Sequence, residues 1–211
     1  MDRFIGHGLT CIRGERLVFS GLGFTLESGG ALVLTGPNGS GKSSLLRLMA
    51  GLLAPAAGTL TWNGEAVASD REAHGGRLHY VGHLDAVKPV LSVMENVAFW
   101  ANLRPGGGPA AAEAALAVFG IEHLAGVPGR FLSAGQRRRV NLARILAAPA
   151  PLWLLDEPTT ALDRAAVATL EAAIASHRQA GGMVAAATHT PLSLGSAQTL
   201  DLGAFETEVA A

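Results

Sequence analysis

Residues 36–43 read Gly36-Pro-Asn-Gly-Ser-Gly-Lys-Ser43, a match to the phosphate-gripping pattern G-x-x-x-x-G-K-[ST]. Glycines in such a loop let successive backbone N–H groups turn inward on phosphate oxygens. The helix that follows adds the positive end of its dipole. The ammonium of Lys42 would sit on the outer phosphates, and the hydroxyl of Ser43 would ligate Mg²⁺. Gly36, Pro37, Asn38, Gly39, Ser40, Gly41, Lys42, Ser43 and Ser44 are therefore expected to hold a nucleoside triphosphate. Lysine stands only at positions 42 and 88, in a chain whose other basic residues are arginine. A compact point charge at this one loop suits phosphate better than a broad fork. The plain alternative is a glycine-rich turn that happens to contain Lys-Ser.

A second group lies over a hundred residues on. Leu152-Trp-Leu-Leu-Asp156-Glu157 is an apolar run ending in two carboxylates. At the C-terminal edge of a parallel sheet its tip would lie beside the phosphate loop. Asp156 would then hold the metal through water, and Glu157 would polarise the attacking water as general base. A strand-capping acidic pair facing solvent is the alternative. Third comes Leu132-Ser-Ala-Gly-Gln136, in which Ser133 and Gln136 have the spacing of a capping box at a helix start. The exposed N-terminus of that helix would be a second anion site, although capping alone would explain the pair. The phosphate loop and the acidic strand by themselves leave kinases, GTPases and motor ATPases open.

The elements that must position these groups are legible in outline. Ala31-Leu-Val-Leu-Thr35 reads as a buried strand running into a helix that begins near Gly41. Leu17–Phe19, Gly23–Leu26 and Thr59–Trp62 read as short strands, and Asn63-Gly64 is a two-residue hairpin signal. From about 91 to 126 the pattern is helical, with a break at 104–109. After it come helix 134–148, strand 152–156, helix 164–179 and strand 183–188. That alternation predicts a mostly parallel sheet with covered faces.

Composition narrows the class. With 211 residues the chain fits one domain with an inserted lobe. Lys+Arg 16 against Asp+Glu 17 gives a net charge of -1, which lacks the footprint of a dedicated nucleic-acid binder. Hydrophobic residues at 49% and charged residues at 16% exclude a disordered chain. The single Cys11, expected to pack in a strand, fits a reducing compartment. Mean hydropathy is +0.31, much of it from alanine, and no apolar run approaches the ~20 residues of a membrane span. The first residues carry no apolar leader. A cytoplasmic chain that borrows its membrane from a partner is expected.

Leu132-Ser-Ala-Gly-Gln136 closely resembles the LSGGQ signature of the ATP-binding cassette (ABC) family, with Ala134 as a mild departure. The resemblance implies an α/β P-loop NTPase fold of the ABC nucleotide-binding type. That fold has an N-terminal antiparallel β subdomain and an inserted α-helical subdomain. Here the core with its β subdomain would span about 1–83 and 142–211, and the helical subdomain about 84–141. It implies a homodimer of Mg²⁺-dependent ATPase subunits, in which Ser133, Gly135 and Gln136 of one copy close over ATP held by the other. Asp163 in Pro158-Thr-Thr-Ala-Leu-Asp163 matches the subunit-contact position, and His189 in Thr188-His189 matches the γ-phosphate-sensing histidine. That histidine would orient the water and Glu157. Two positions depart. The family's glutamine after the strand that enters the helical lobe is missing, and Leu84 or His83 stands in its place. The aromatic that stacks on adenine is replaced by Arg13, whose planar guanidinium could stack instead.

Within the family the chain is most similar to the ATP-binding subunit of the haem exporter in bacterial cytochrome c maturation. Residues 14–26 and 36–51, Val81-Gly-His-Leu-Asp-Ala-Val-Lys-Pro89 and Glu95-Asn96 carry that likeness. It implies multi-pass transmembrane partners (CcmB/CcmC-like) at the cytoplasmic face of the inner membrane. ATP hydrolysis would drive release of a haem-loaded chaperone, with no direct haem or nucleic-acid binding by this subunit. The alternatives are the ATPase of another small transporter or lipoprotein-release system and, in another class, a soluble cassette protein acting on nucleic acid or ribosomes. Arg137, Arg138 and Arg139 are expected on a solvated helix face. His74, His79 and His83 lack metal-ligand spacing, and Trp62, Trp100 and Trp153 read as packing residues.

Overall fold

The first thirty residues form one long antiparallel ribbon, and the reason lies in its irregularities. The computed structural model describes residues 1–104, 107–190 and 192–205; the break expected at 104–109 thus lies partly outside the described residues. Strand β1 (Arg3–Arg13) pairs antiparallel with β2 (Arg16–Glu27). The two short strands expected at 17–19 and 23–26 are thus one strand. Its register shifts between Gly6 and Leu9 and again between Leu9 and Cys11, and the extra residues include Gly8 (φ 61°) and Gly21 (φ 70°). Bulges at those glycines break the apolar alternation without ending the pairing. Cys11 is buried in β1, as expected. Strand β4 (Ala57–Trp62) pairs with the other edge of β1, and the Asn63-Gly64 turn leads into β5 (Glu65–Ala66). Both turn residues have positive φ, the geometry a two-residue hairpin demands.

The second sheet is parallel, in the order β6 (Leu78–Val81), β7 (Leu152–Asp156), β8 (Met183–Ala187), β3 (Ala31–Thr35) and β9 (Gln198–Asp201). All five residues of β7 and of β8 are buried, because both faces of the sheet are covered. Leu152 and Leu154 face a core shared with helix α1 (Lys42–Met49) and the antiparallel sheet, where Phe4, Phe19, Leu45 and Leu46 pack. Trp153 and Leu155 face a second core built with the remaining long helices. These are α3 (Val93–Ala101), α4 (Pro109–Val118), α5 (Ala134–Leu146) and α6 (Arg164–Gln179). Short helix α2 (Arg71–Gly76), capped by the Asp70 side chain, precedes β6.

Burial redistributes several polar side chains. His74 and His79 are buried, each with Nε2 against a backbone carbonyl, of Met49 at 2.8 Å and of Ala148 at 2.6 Å. Burial holds the His74 imidazole below its ordinary pKa and pushes that of His79 down to about 4. Trp62 and Trp153 are core residues, and Trp153 stacks on His177 with ring centroids 3.9 Å apart. Trp100 is half-buried, with the Arg144 guanidinium 4.6 Å from its ring centroid. The expectation that Arg137–Arg139 face solvent fails at Arg138, which is only 2% exposed. The α5 face carrying it is pressed against the ends of β6 and β7, and their carbonyls draw the guanidinium inward. No helix among the described residues is long and apolar enough to cross a membrane.

Candidate active site

Strands β7, β8 and β3 are neighbours in the parallel sheet, so their C-terminal ends deliver three segments to one edge. From β3 comes the loop 36–41, which closes on α1. Gly41 is the N-cap of α1 with φ 100°, and no side chain caps the helix. A β-carbon at Gly41 would stand 2.5 Å from Val18 Cγ1, so only glycine fits between the loop and the β1–β2 ribbon. The Lys42 side chain is buried along the loop. Its Nζ donates to the carbonyls of Gly36 (2.7 Å) and Pro37 (2.9 Å). An ammonium has three donors, so one remains for a ligand oxygen.

From β7 comes the acidic pair. Ser43 Oγ donates to Asp156 Oδ1 at 2.9 Å, across 113 positions of sequence. Asp156 is 2% exposed, and its Oδ2 is buried with no hydrogen-bond partner among the described residues. A buried carboxylate oxygen left unpaired beside a hydroxyl is a hard-oxygen donor set, which fits Mg²⁺. Glu157 adopts φ 49°, in the left-handed region, and its N–H donates to Ala187 O at 2.8 Å. That conformation turns its side chain off the strand line and toward His189. The His189 N–H donates to Glu157 Oε2 at 3.3 Å, and its Nε2 lies 3.6 Å from Oε1. A carboxylate and an imidazole so close can both reach one water lying at the side of the pair, one as base and one as its orienting partner.

These groups line one cavity of about 500 Å³. Arg13, Asn38, Gly39, Gly41, Lys42, Ser43, Ser44, Asp156, Glu157 and His189 all reach it, and so does His83. Leu84 is 85% exposed and lines only the neighbouring cleft, which His83 also reaches, so of the two side chains at the position of the absent glutamine His83 is the one that lines this cavity. Arg16 also lines the cavity, across the hairpin from Arg13. Its contribution was visible in the sequence only as the second arginine flanking the turn at Gly14. Gly36, Pro37 and Ser40 shape the loop without lining the cavity; Ser40 is fully buried.

Ser133, Gly135, Gln136 and Asp163 lie away from this cavity. Ser133 and Gln136 form the expected capping box on α5: Ser133 N–H donates to Gln136 Oε1 at 2.8 Å, and Gln136 N–H to Ser133 Oγ at 3.2 Å. A β-carbon at Gly135 would stand 2.8 Å from Ala161 O, so the start of α5 abuts the turn that precedes α6. Asp163 caps α6 through Ala166 N–H at 2.8 Å and pairs with Arg139 at 2.5 Å. Within one chain, therefore, the signature segment and Asp163 adjoin each other but not the phosphate loop.

Comparison with known proteins places the arrangement. The ABC transporter family profile matches residues 19–160. A protein of Rhodospirillum rubrum named cytochrome c biogenesis ATP-binding export protein CcmA is 64% identical over 202 residues, 96% of this chain and 86% of its own length. The protein of the same name from Paramagnetospirillum magneticum is 62% identical over 205 residues, 96% of this chain and 94% of its own length. Among solved structures, an ATP-binding subunit of an ABC transporter superposes with a TM-score of 0.81 at 23% identity, over 88% of this chain and 79% of its own. A bacterial Atm1-family ABC exporter with ATP bound gives a TM-score of 0.81 at 24% identity, over 95% of this chain and 37% of its own. Those two likenesses speak for the fold. With the phosphate loop, acidic strand and signature helix disposed as they are, this chain belongs to the ABC transporter family as an ATP-binding ATPase domain, in the branch of the CcmA proteins.

Proposed function

We propose that this chain is the ATP-hydrolysing subunit of a membrane-bound exporter complex of cytochrome c maturation. What carries the reading is its high identity, along nearly its whole length, to export proteins of cytochrome c biogenesis. In the cavity, Lys42 and the loop amides bind the triphosphate, and Ser43 with Asp156 would hold Mg²⁺, whose positive charge offsets that of the phosphates. Glu157 takes a proton from water as the water oxygen bonds to the γ-phosphorus, and the bond to the bridging β–γ oxygen breaks to release ADP. His189 orients that water and bonds the γ-phosphate. Arg13 stacks on the base.

Ser133, Gly135, Gln136 and Asp163 act on a second copy. The exposed start of α5 caps ATP held in that copy's cavity, so two ATP molecules close a homodimer and hydrolysis opens it. Residues of about 84–141 form the helical unit that passes this motion to multi-pass membrane subunits of the CcmB/CcmC kind, at the cytoplasmic face of the inner membrane. The motion drives release of a haem-loaded chaperone.

The test is co-expression with those membrane subunits from the same organism, followed by capture in detergent. A stable complex whose release of the haem-loaded chaperone requires ATP is the expected result. A chain that instead assembles with the permease of another solute, or binds DNA in a salt-dependent way, would overturn the assignment.

A further inference from the structure

Arg138 is buried in the middle of a run of three arginines, and every donor it owns is used. A guanidinium carries five N–H bonds. Nε donates to Pro158 O at 3.2 Å. One terminal nitrogen donates to Asp156 O at 3.0 Å and Glu157 O at 2.5 Å, and the other to Gly82 O at 3.0 Å and Asp85 Oδ1 at 3.1 Å. Five donors meet five acceptors. Three of those acceptors are the consecutive carbonyls of residues 156–158, the turn in which Glu157 is held at φ 49°. A residue with a β-carbon adopts that region uncommonly and at an energetic cost, which the surrounding structure must offset. On the same side of α5, Asn141 Nδ2 donates to Asp85 Oδ1 at 3.2 Å, and Arg144 donates to Tyr80 O. The buried polar face of α5 thus ties the turn carrying Glu157 to the segment 80–85, which carries His83 into the cavity.

We infer that Arg138 is a positioning residue for hydrolysis: with Asp85 fixing the plane of its guanidinium, it locks the strained turn that aims Glu157 at the attacking water. The inference rests on reading Glu157 as the general base. Arg138 touches no cavity-lining atom of the phosphate loop, so its removal should spare ATP binding and slow the chemical step. Lysine cannot replace it, because one nitrogen with three protons cannot span five acceptors on two segments.

The test compares Arg138→Lys, Asp85→Asn and Glu157→Gln in the full chain, reading ATP affinity by calorimetry and kcat by single-turnover hydrolysis. Arg138→Lys should keep ATP affinity within about two-fold while kcat falls at least about ten-fold, since a displaced base costs rate rather than binding. Asp85→Asn should lower kcat about three-fold at unchanged affinity. Wild-type kcat in folded Arg138→Lys overturns the inference, as does a loss of affinity equal to the loss of rate. If Arg138→Lys does not fold, Asp85→Asn decides, and an unaltered kcat there overturns it. Hydrolysis at the wild-type rate by Glu157→Gln would remove the base and the inference together. An inactive Glu157→Gln beside a fully active Arg138→Lys removes the inference alone.

Discussion

His79 makes the stability of this chain depend on pH in a way that can be worked from its surroundings. The ring is 5% exposed on β6, and its Nε2 meets Ala148 O at 2.6 Å in the stretch between α5 and β7. Burial, with the nearby charges of Arg104 and Arg144, pushes its pKa down from 6.5 to about 4; the hydrogen bond to Ala148 opposes this and loses. The unfolded chain then binds the proton more readily than the folded one. Stability contributed by the neutral ring is full above about pH 6.5 and is lost as pH falls toward 4. The loss from this one group is about 2 kcal/mol at pH 5 and about 3 kcal/mol below pH 4. Replacing it by glutamine keeps a donor for Ala148 and removes the titration. Urea unfolding of wild type and His79→Gln at pH 7.5 and pH 5 should show the wild type losing about 2 kcal/mol more than the variant between the two. Equal losses would refute the reasoning, since they would mean that the folded imidazole takes up its proton as freely as a solvated one.

Three further outcomes bear on the site. Glu157→Gln should bind ATP, run as a dimer on sizing, and hydrolyse about 100- to 10,000-fold more slowly, the range spanned by a general base; a persistent monomer with ATP would count against the two-copy arrangement. Lys42→Ala should weaken ATP binding by calorimetry by about 3 kcal/mol, the scale of a charge-assisted contact in a partly buried site, and unchanged affinity would remove the main assignment. His189→Ala should bind ATP nearly as wild type yet turn over at least about ten-fold more slowly, and full turnover would leave its closeness to Glu157 without catalytic meaning.

The chemistry of this site reads well from local spacing because each part is built from neighbours along the chain. A loop that grips phosphate needs its glycines and Lys42 within eight positions, and a strand buried on both faces announces itself as the run Leu152–Leu155 before Asp156. The same alternation announces a parallel sheet, but the order that sets β8 between β3 and β7 is seen only in the fold. Strand β9 gave no such signal. It lies at the sheet edge, its four residues are not buried, and its place is held by backbone hydrogen bonds that any side chain permits. The ribbon of β1 and β2 was obscured by its bulges, which shift the apolar alternation by a residue at Gly8 and Gly21.

Which side chains face which way was settled by contacts between distant segments. Sequence order left His83 and Leu84 equivalent; the exit of β6 sends His83 into the cavity and leaves Leu84 in solvent. Three successive arginines looked alike, and only the packing of α5 on the ends of β6 and β7 buries the middle one among carbonyls from positions 82 and 156–158. The unusual backbone of Glu157 likewise depends on partners at Arg138 and Ala187. Motif residues are specified by the covalent chain, whose spacing is fixed before folding. The orientation of a base, and the burial of the charge that holds it, come into being only when surfaces far apart in sequence close on each other and exclude water.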